Sequence, residues 1–578
     1  MTVVRRLLAV ICALSAMTLA AQTRPTQTPT PAPAPNVAPA TEPVTGPVTA
    51  DTDKDLSNPR ALKLSLDDAL KTSVERNVGI SLQRYTFLES SESLRSSYGI
   101  YDWLASADVE RQSTKSPTIS QFLATGSRAT VADVGISQLI PTGGSYSIGF
   151  NNSRVNQTGG GTLVNPAYHS TLALVLTQPL LRNFGVDVTS RGILIARNTL
   201  GFNQEAFRGV IMDTAVATQQ SYLDLVYARQ FVDVVKEALF LARDQARITQ
   251  IRIDVGASAP LDILQPRVQI ATEEQALIAA VANVRDAEDR LRAVMHLEPI
   301  DWDRPIIPTT PAAYTPVTID QEQAVTQAIK MRPEMHEQQL TTATRQVQYV
   351  YARNQVLPRL DLIANYSAAG LGGRAAVFDP VTGVPTGEFS STGYSHAVNQ
   401  VFSNTFPSWT VGFVVGVPIT NIGARAEAKR AELDVALART NEEQTRQNIV
   451  LDVRGTVRAI DTAAKEITAS RTAREAAEQN VEAERRRYEN GLSTNFQVLQ
   501  IQQQLSSARA SEIQALVAYN KSIAAYHRAI GDLLDVAGIR IEEPQVSEPH
   551  IFGRFLERYN WLNYGDRIEQ PQPQPQPQ

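Results

Sequence analysis

The chain has 578 residues, a formal net charge of -5, 20% charged and 43% hydrophobic residues; that length suggests roughly two to four ordinary domains, and the composition is that of folded protein. So small a charge over so long a chain makes no basic field, and no run of like charges forms an electrostatic tail. Nucleic acid is excluded as a partner, and function is left to the patterning.

Arg5 and Arg6 precede the apolar run Leu7 to Ala16, and the small residues Ala20 and Ala21 precede Gln22. That order predicts a secretory signal peptide over residues 1–21. The only cysteine, Cys12, lies in this run behind Ile11, which is not the small residue of a lipoprotein cleavage site. The mature sequence is therefore expected to have no disulfide and no cysteine metal ligand. Residues 22–60 are rich in Pro, Thr and Ala and predict an extended linker; the tail 544–578 ends in alternating Pro and Gln. After the signal no stretch reaches the ~18 to 20 consecutive apolar residues of a membrane helix. Any membrane span must then be a β-barrel.

Between linker and tail the sequence repeats. Arg252 to Gln265 aligns without gaps on Arg487 to Gln500, with Arg, Gly, Ser, Leu and Gln coinciding at an offset of 235. Gln178-Pro179-Leu180 matches Val417-Pro418-Ile419 at an offset of 239, and Leu66 to Leu70 pairs more weakly with Gln321 to Val325. Three landmarks in one order predict an internal two-fold duplication, with repeats over 61–310 and 311–543. Each repeat reads as a helix of about 30 residues from Ser65 or Asp320, a strand region, a very long helix broken at Gly256 or Gly491, and a return helix to about His296 or Ile530. No proline interrupts Pro179 to Pro260 or Pro418 to Pro544, so each outward leg predicts about 60 helical residues, on the order of 90 Å. Tyr227, Phe231, Val234, Ala238, Leu241, Gln245 and Ile248 form one coiled-coil seam, and Leu516, Tyr519, Ile523, Tyr526 and Ile530 another.

Six segments alternate at period two. In Trp103 to Arg111 the positions Trp103, Ala105, Ala107 and Val109 share one face, and Ser106, Asp108 and Glu110 the other. Apolar residues against lipid and carboxylates toward a wet lumen fit that division. Thr130 to Gln138 and Ser145 to Asn151 follow, joined by the turn Pro141 to Gly144; then come Leu172 to Leu176, Leu360 to Ala368 and Trp409 to Val417. The connections 112–128, 156–167 and 369–408 read as long polar loops, the asymmetry of outer-membrane barrels. Each strand region starts and ends in a helix on the same side, so crossings come in even numbers, four and then two. Six strands close no useful pore, so the barrel must be shared between chains.

The corner Leu176-Thr177-Gln178-Pro179-Leu180-Leu181-Arg182-Asn183-Phe184-Gly185 and the twin tips Gly256-Ala257-Ser258 and Gly491-Leu492-Ser493 resemble the TolC-like outer-membrane efflux protein (outer-membrane factor) family, over residues 62–532. The resemblance implies a membrane α+β fold: a trimeric outer-membrane β-barrel continued by a long periplasmic α-helical, coiled-coil barrel. It implies a homotrimer in outer-membrane lipid, a periplasmic adaptor (membrane fusion protein) and an inner-membrane pump as partners, and a passive exit duct of a tripartite efflux or type I secretion system. Adaptor contact falls on the tips Val255, Gly256, Ala257, Asn490, Gly491 and Leu492; the strand-to-helix corners are Gln178, Pro179, Gly185, Pro418 and Gly423.

Two departures stand out. Relatives of this kind carry four strands per chain, whereas 129–152 reads as an extra hairpin, leaving twelve and eighteen strands open with eighteen favoured. The family closes its periplasmic end with carboxylates six and nine residues after the second tip glycine; here those positions are Gln497 and Gln500. Asp262 and Tyr488 complete the gate candidates implied by the family. Asp262 also reads as a first-turn acid that the helix dipole favours by roughly 0.3 to 1 kcal/mol, and Ser258 and Ser493 as N-caps. No enzyme is expected: the six histidines form no metal-spaced pair, and no glycine-rich phosphate loop precedes a helix. No cofactor and no metal are implied. The rival class is a periplasmic coiled-coil adaptor or structural envelope protein without a pore.

Overall fold

The computed structural model describes residues 59–117, 119, 123–159, 162–382 and 384–540. The signal segment, all but the last two residues of the linker, and the 544–578 tail lie outside the described residues. The chain opens with β1 (Leu62–Leu64), α1 (Leu66–Arg76) and α2 (Val78–Ser97). The single 30-residue helix expected here is two helices: the Asn77 side chain accepts from the Gly79 and Ile80 amides at 2.8 and 3.3 Å, capping α2 where α1 ends. The second copy is broken likewise. Asp320 caps α6 (Gln321–Met331), and Pro333 starts α7 (Pro333–Gln355), where a proline can open a helix but not continue one.

Six long strands make the wall of one antiparallel sheet: β2 (Leu104–Lys115), β3 (Gly126–Leu139), β4 (Ser145–Thr158), β5 (Val164–Pro179), β7 (Arg359–Phe378) and β9 (Phe406–Gly416). Their order is β2-β3-β4-β5-β7-β9, with the short β8 (Pro385–Thr392) paired to the far half of β7. The extra hairpin β3–β4 thus lies inside the wall, paired on both sides. Strands are longer than their clean alternation suggests: β2 and β3 take up the expected loop 112–128 as far as Lys115 and from Gly126, and β4 and β5 take up 156–167 as far as Thr158 and from Val164. The expected loop 369–408 is corrected further: it holds the end of β7, all of β8 and a helix, α8 (Tyr394–Phe402). Its glycines mislead because they serve a close approach. α8 lies on bare strand backbone, and a Cβ on Gly370 or Gly372 would strike the Ala397 or Gly393 carbonyl.

Cross-strand partners share a face, so the register sorts the wall. One face carries Ala105, Ala107, Val109, Val134, Ile136, Ile148, Phe150, Leu172, Leu174, Leu362, Val411 and Phe413; the other carries Ser106, Asp108, Asp133, Asn151, Thr171, Asn365 and Thr410. Among the described residues β2 pairs only with β3 and β9 only with β7, so both edges of the wall are open.

The sheet leads into two helical hairpins. After the short α3 (Val186–Thr189) come α4 (Arg191–Asp254) and its return α5 (Leu264–Met295); after β9 come α9 (Ile422–Glu489) and its return α10 (Asn495–Ile530), closed by α11 (Leu533–Val536). At 64 and 68 residues, α4 and α9 are rods of about 96 and 102 Å. Each return helix is about half as long. The other half of α4 packs against α2 and α7, and that of α9 against α6 and α7. This is why the first expected seam holds only in part: Val234 and Gln245 are buried, Tyr227, Phe231, Ala238, Leu241 and Ile248 are only partly so, and Val232, Val235, Leu239, Ala242 and Thr249 form a second buried stripe beside it. A rod that touches α5, α10, α7, α2 and α1 needs more than one apolar stripe. The second seam stands, with Tyr519 and Ile530 buried and Leu516, Ile523 and Tyr526 packed beside them. Where α4 and α5 meet, β1 pairs in parallel with β6 (Ile306–Pro308). There the fully buried Glu288 is held by Arg229, Arg285 and Arg292 at 2.7, 3.1 and 3.1 Å and accepts the Ile306 amide. Among the described residues no helix is long and apolar enough to cross a membrane.

Candidate functional site: the hairpin tips and the strand-to-helix corner

Both rods end in the same local geometry. Gly256 and Gly491 take φ of +75° and +74°, the left-handed region where a Cβ is costly. The Ala257 amide donates back to the Arg252 carbonyl at 2.7 Å, and the Leu492 amide to the Arg487 carbonyl at 2.8 Å. These bonds satisfy carbonyls that the helix end leaves free. Val255, Leu261, Leu492 and Phe496 stand 72, 74, 71 and 56% exposed around the tips. An isolated exposed leucine says little, but four around one pair of turns form an apolar patch.

The two tips are tied to each other. Arg252 reaches across, its Nη1 donating to the Tyr488 carbonyl at 2.7 Å and its guanidinium lying 4.6 Å from the ring centre of Tyr488, which is buried. The Gln245 side-chain amide donates to Asn495 Oδ1 at 2.8 Å, and Asn495 Nδ2 to the Asp262 carbonyl at 3.4 Å. Higher up, Arg509 of α10 pairs with Glu237 of α4 and, at 3.0 Å, with Glu478 of α9.

Among the residues singled out from the sequence, Tyr488 therefore stands in this tie and Asp262 joins it through its backbone. The Asp262 carboxylate accepts the Ala259 amide at 3.1 Å, the first-turn role. Gln497 faces its own N-terminus in a capping box with Thr494, and Gln500 is exposed. The expected serine caps are corrected. Thr494 caps α10, and the Ser493 hydroxyl donates instead to Glu484; Ala259, not Ser258, precedes the turn that opens the first return leg. The sequence does not mark Arg252, Gln245, Asn495 and Arg509 as site residues, because only their contacts across some 230 positions or more of sequence, or across two hairpins, give them that role.

At the sheet end, the first corner is a hydrogen-bonded joint. Gln178 Oε1 accepts the Thr142 hydroxyl at 2.8 Å, and its side-chain amide donates to the Pro179 carbonyl at 2.8 Å. Gly185, at φ +108°, donates its amide to the Thr142 carbonyl. The β3–β4 turn is thereby docked on the corner. Asn354 and Gln355, at the end of α7, bond Asn183 at 2.7 Å each. The second corner is looser. Pro418 is exposed, Gly423 has open space at its Cβ position, and Asn421 supplies one bond, to the Val356 carbonyl at 2.8 Å.

At the waist, α4, α7, α9 and α10 exchange charge. Arg528 bonds Asp213 and Glu334 at 2.6 Å each, Arg332 bonds Asp452 at 2.5 Å, and His336 pairs with Glu205 at 3.3 Å. Burial, then Glu334 and Glu205, push the Glu337 carboxyl up to about 7. Burial also raises Glu334, but the hydrogen bonds from Arg332 and Arg528 outweigh it and hold this carboxyl at about 2. Among the described residues no three His, Cys, Asp or Glu side chains are grouped to hold a metal ion.

The sequence matches the family model "Outer membrane efflux protein" over residues 126–295 and 324–532. No curated protein matches the chain. Among solved structures, the outer-membrane channel OprN is 14% identical, with 84% of this chain and 92% of that one covered and a TM-score of 0.58. The CmeC outer membrane channel of Campylobacter jejuni is 14% identical, with 88% and 91% covered and a TM-score of 0.55. The MtrE outer membrane channel of Neisseria gonorrhoeae, in its open state, is 13% identical, with 81% and 89% covered and a TM-score of 0.54. At these identities the likeness is one of fold.

Proposed function

Because the chain belongs to the outer membrane efflux protein family, we propose that it is the passive exit duct of a tripartite efflux or type I secretion system, three copies closing one barrel in the outer membrane. The observation that carries this reading is the wall itself. One face is apolar, the other polar, and both edges carry unpaired backbone groups. Such edges are intolerable in lipid unless another strand covers them. Pairing β2 of one copy with β9 of the next satisfies both edges of every copy, and six strands from each of three copies make eighteen. The two repeats arise by duplication, each contributing one strand-to-hairpin unit.

The helical rods continue the lumen into the periplasm. On α9, Leu433, Leu437 and Leu451 are 58, 61 and 66% exposed and share one side at four and fourteen residue steps, a face suited to the neighbouring copy. The apolar tips suit a periplasmic adaptor, which links the duct to an energised inner-membrane pump. The Arg252–Tyr488 tie fits a closing contact between the hairpins of one copy, released when they shift apart. Gln497 and Gln500 stand where the family carries its closing carboxylates, so these two positions supply no acidic ring, and Asp262 is the gate acid that remains.

Planar-bilayer recording tests the reading. Purified protein is expected to insert and give discrete current steps, and to run as a heat-dissociable trimer in detergent. A monomer that stays soluble without detergent and never conducts would contradict it, and would return the coiled-coil adaptor class to the front.

A further inference from the structure

The charges of β2 to β5 are fully sorted between the two faces. Asp108, Glu110 and Asp133 lie on the polar face, whereas Arg111, Lys115, Arg128 and Arg154 lie on the apolar one. A barrel that merely tolerated charge at its rim would have no reason to send every carboxylate one way and every cation the other.

The cations are also ordered in height. Trp103 and Tyr146 stand at the end of the wall nearest the helices, their rings 5.9 Å apart and edge to face. Eight residues along the same strands come Arg111 and Arg154, both in register with Thr130 between them. Eight residues span about 27 Å of strand, or roughly 21 Å of height at a tilt of about 40°. That nearly fills the ~25 Å apolar band of an outer-membrane barrel. Between the aromatic row and the arginine row this face holds Ala105, Ala107, Val109, Ala132, Val134, Ile136, Ile148 and Phe150, with one polar residue, Asn152, which accepts the Tyr394 hydroxyl of α8. The arginines therefore stand where the acyl chains of the outer leaflet give way to headgroups.

We infer that Arg111, Arg128 and Arg154 form a binding site for the phosphate of an anionic glycolipid headgroup in the outer leaflet. Arg111 and Arg154 flank Thr130 at one strand spacing on either side, and Arg128 sits two residues further out on the central strand. Neighbouring strands put directly opposite Cβ atoms about 4.5 to 5.5 Å apart, so Arg111 and Arg154 stand about 10 Å apart across Thr130, within the span of one diphosphorylated headgroup; the Arg154 guanidinium is turned toward Tyr168 on β5 rather than toward Thr130. All three are exposed, and none makes an ion pair among the described residues. Arg154 is steadied by the ring of Tyr168, 5.7 Å below its guanidinium, and Tyr168 in turn packs edge-on against Tyr394 of α8. Guanidinium is the side chain suited to phosphate, offering paired donors in a fixed fork. Ordinary snorkelling would place cations at this height too, but it gives no reason for three on one triangle with no acidic partner on the same face.

This site rests on the proposed membrane placement of the wall. The test uses the full protein in detergent, with lipid A bearing both phosphates, enzymatically dephosphorylated lipid A, and inorganic phosphate as probes. The unaltered protein is expected to bind the phosphorylated lipid at least about tenfold more tightly than the dephosphorylated one, and millimolar inorganic phosphate to compete poorly. Changing Arg111→Gln, Arg128→Gln and Arg154→Gln together is expected to abolish that difference while leaving insertion and conductance intact. Equal binding of the two lipids by the unaltered protein, an unchanged triple variant, or full displacement by inorganic phosphate would overturn the site. The lipid comparison holds even where the triple variant fails to assemble. A protein that inserts and conducts but ignores phosphate overturns this inference alone; one that never inserts overturns the proposed function with it.

Discussion

At the scale of single residues, the waist holds carboxyls pulled in opposite directions. Glu334 lies at about 2, below the ordinary carboxylate value, so it stabilises the fold above that ordinary value and its contribution is lost as pH falls toward 2. Glu337 lies at about 7, above it, so the folded state favours the protonated form and is penalised as pH rises from the ordinary value through 7. His336 is raised by its bond to Glu205, and its contribution fades in the same rising direction. Glu337→Gln is therefore expected to raise the melting temperature at pH 8 and to change little at pH 5; equal shifts at both pH values would contradict the assignment. At the tips, Arg252→Ala is expected to loosen the tie to Tyr488 and increase open-state current in bilayers, whereas Gln500→Ala, at an exposed side chain with no hydrogen bond among the described residues, leaves it unchanged. Tyr488 was legible from a family resemblance. Its partner Arg252 was not, because no local pattern reports a contact 236 positions away.

At the scale of elements, the order of strands, rods and returns was readable because periodicity is local: period two over Trp103 to Val109, no proline through α4 and α9, and a glycine at each tip. Three features escaped it. The break at Asn77 depends on a cap, the second buried stripe of α4 depends on the several helices that surround it, and α8 hid behind glycines that resemble a loop. Two predictions belong here. Gly256→Ala or Gly491→Ala forces a Cβ into the left-handed region and is expected to destabilise its hairpin by roughly 1 to 2 kcal/mol, read from hydrogen exchange at the tip amides; an unchanged exchange rate would contradict the turn geometry. Leu437→Asp places a charge on the open side of α9 and is expected to weaken the trimer in detergent, as seen by light scattering, without unfolding the chain. A variant as trimeric as the parent would show that this side faces water.

At the scale of the whole molecule, an open sheet with one apolar face explains the rest. The β3–β4 hairpin widens the wall from four strands to six, and its turn is bonded into the Gln178–Gly185 corner, so the wider sheet is built into the joint with the helices. Alternation along the strands was legible in the sequence, but whether the hairpin joined the sheet was not, since pairing is decided between strands. Closure by three copies is the claim on which lumen, bilayer placement and duct all depend. The most direct measurement is disulfide trapping, which the chain favours because its only cysteine is Cys12. Single cysteines at Ser106, Asp108, Glu110 or Gln112 on β2 are combined with Thr410→Cys or Val414→Cys on β9, all on the polar face, and oxidised in the membrane. The account predicts a covalent trimer, dissolved by reductant, at the pair that matches the register between copies; monomer alone at every pair would contradict it.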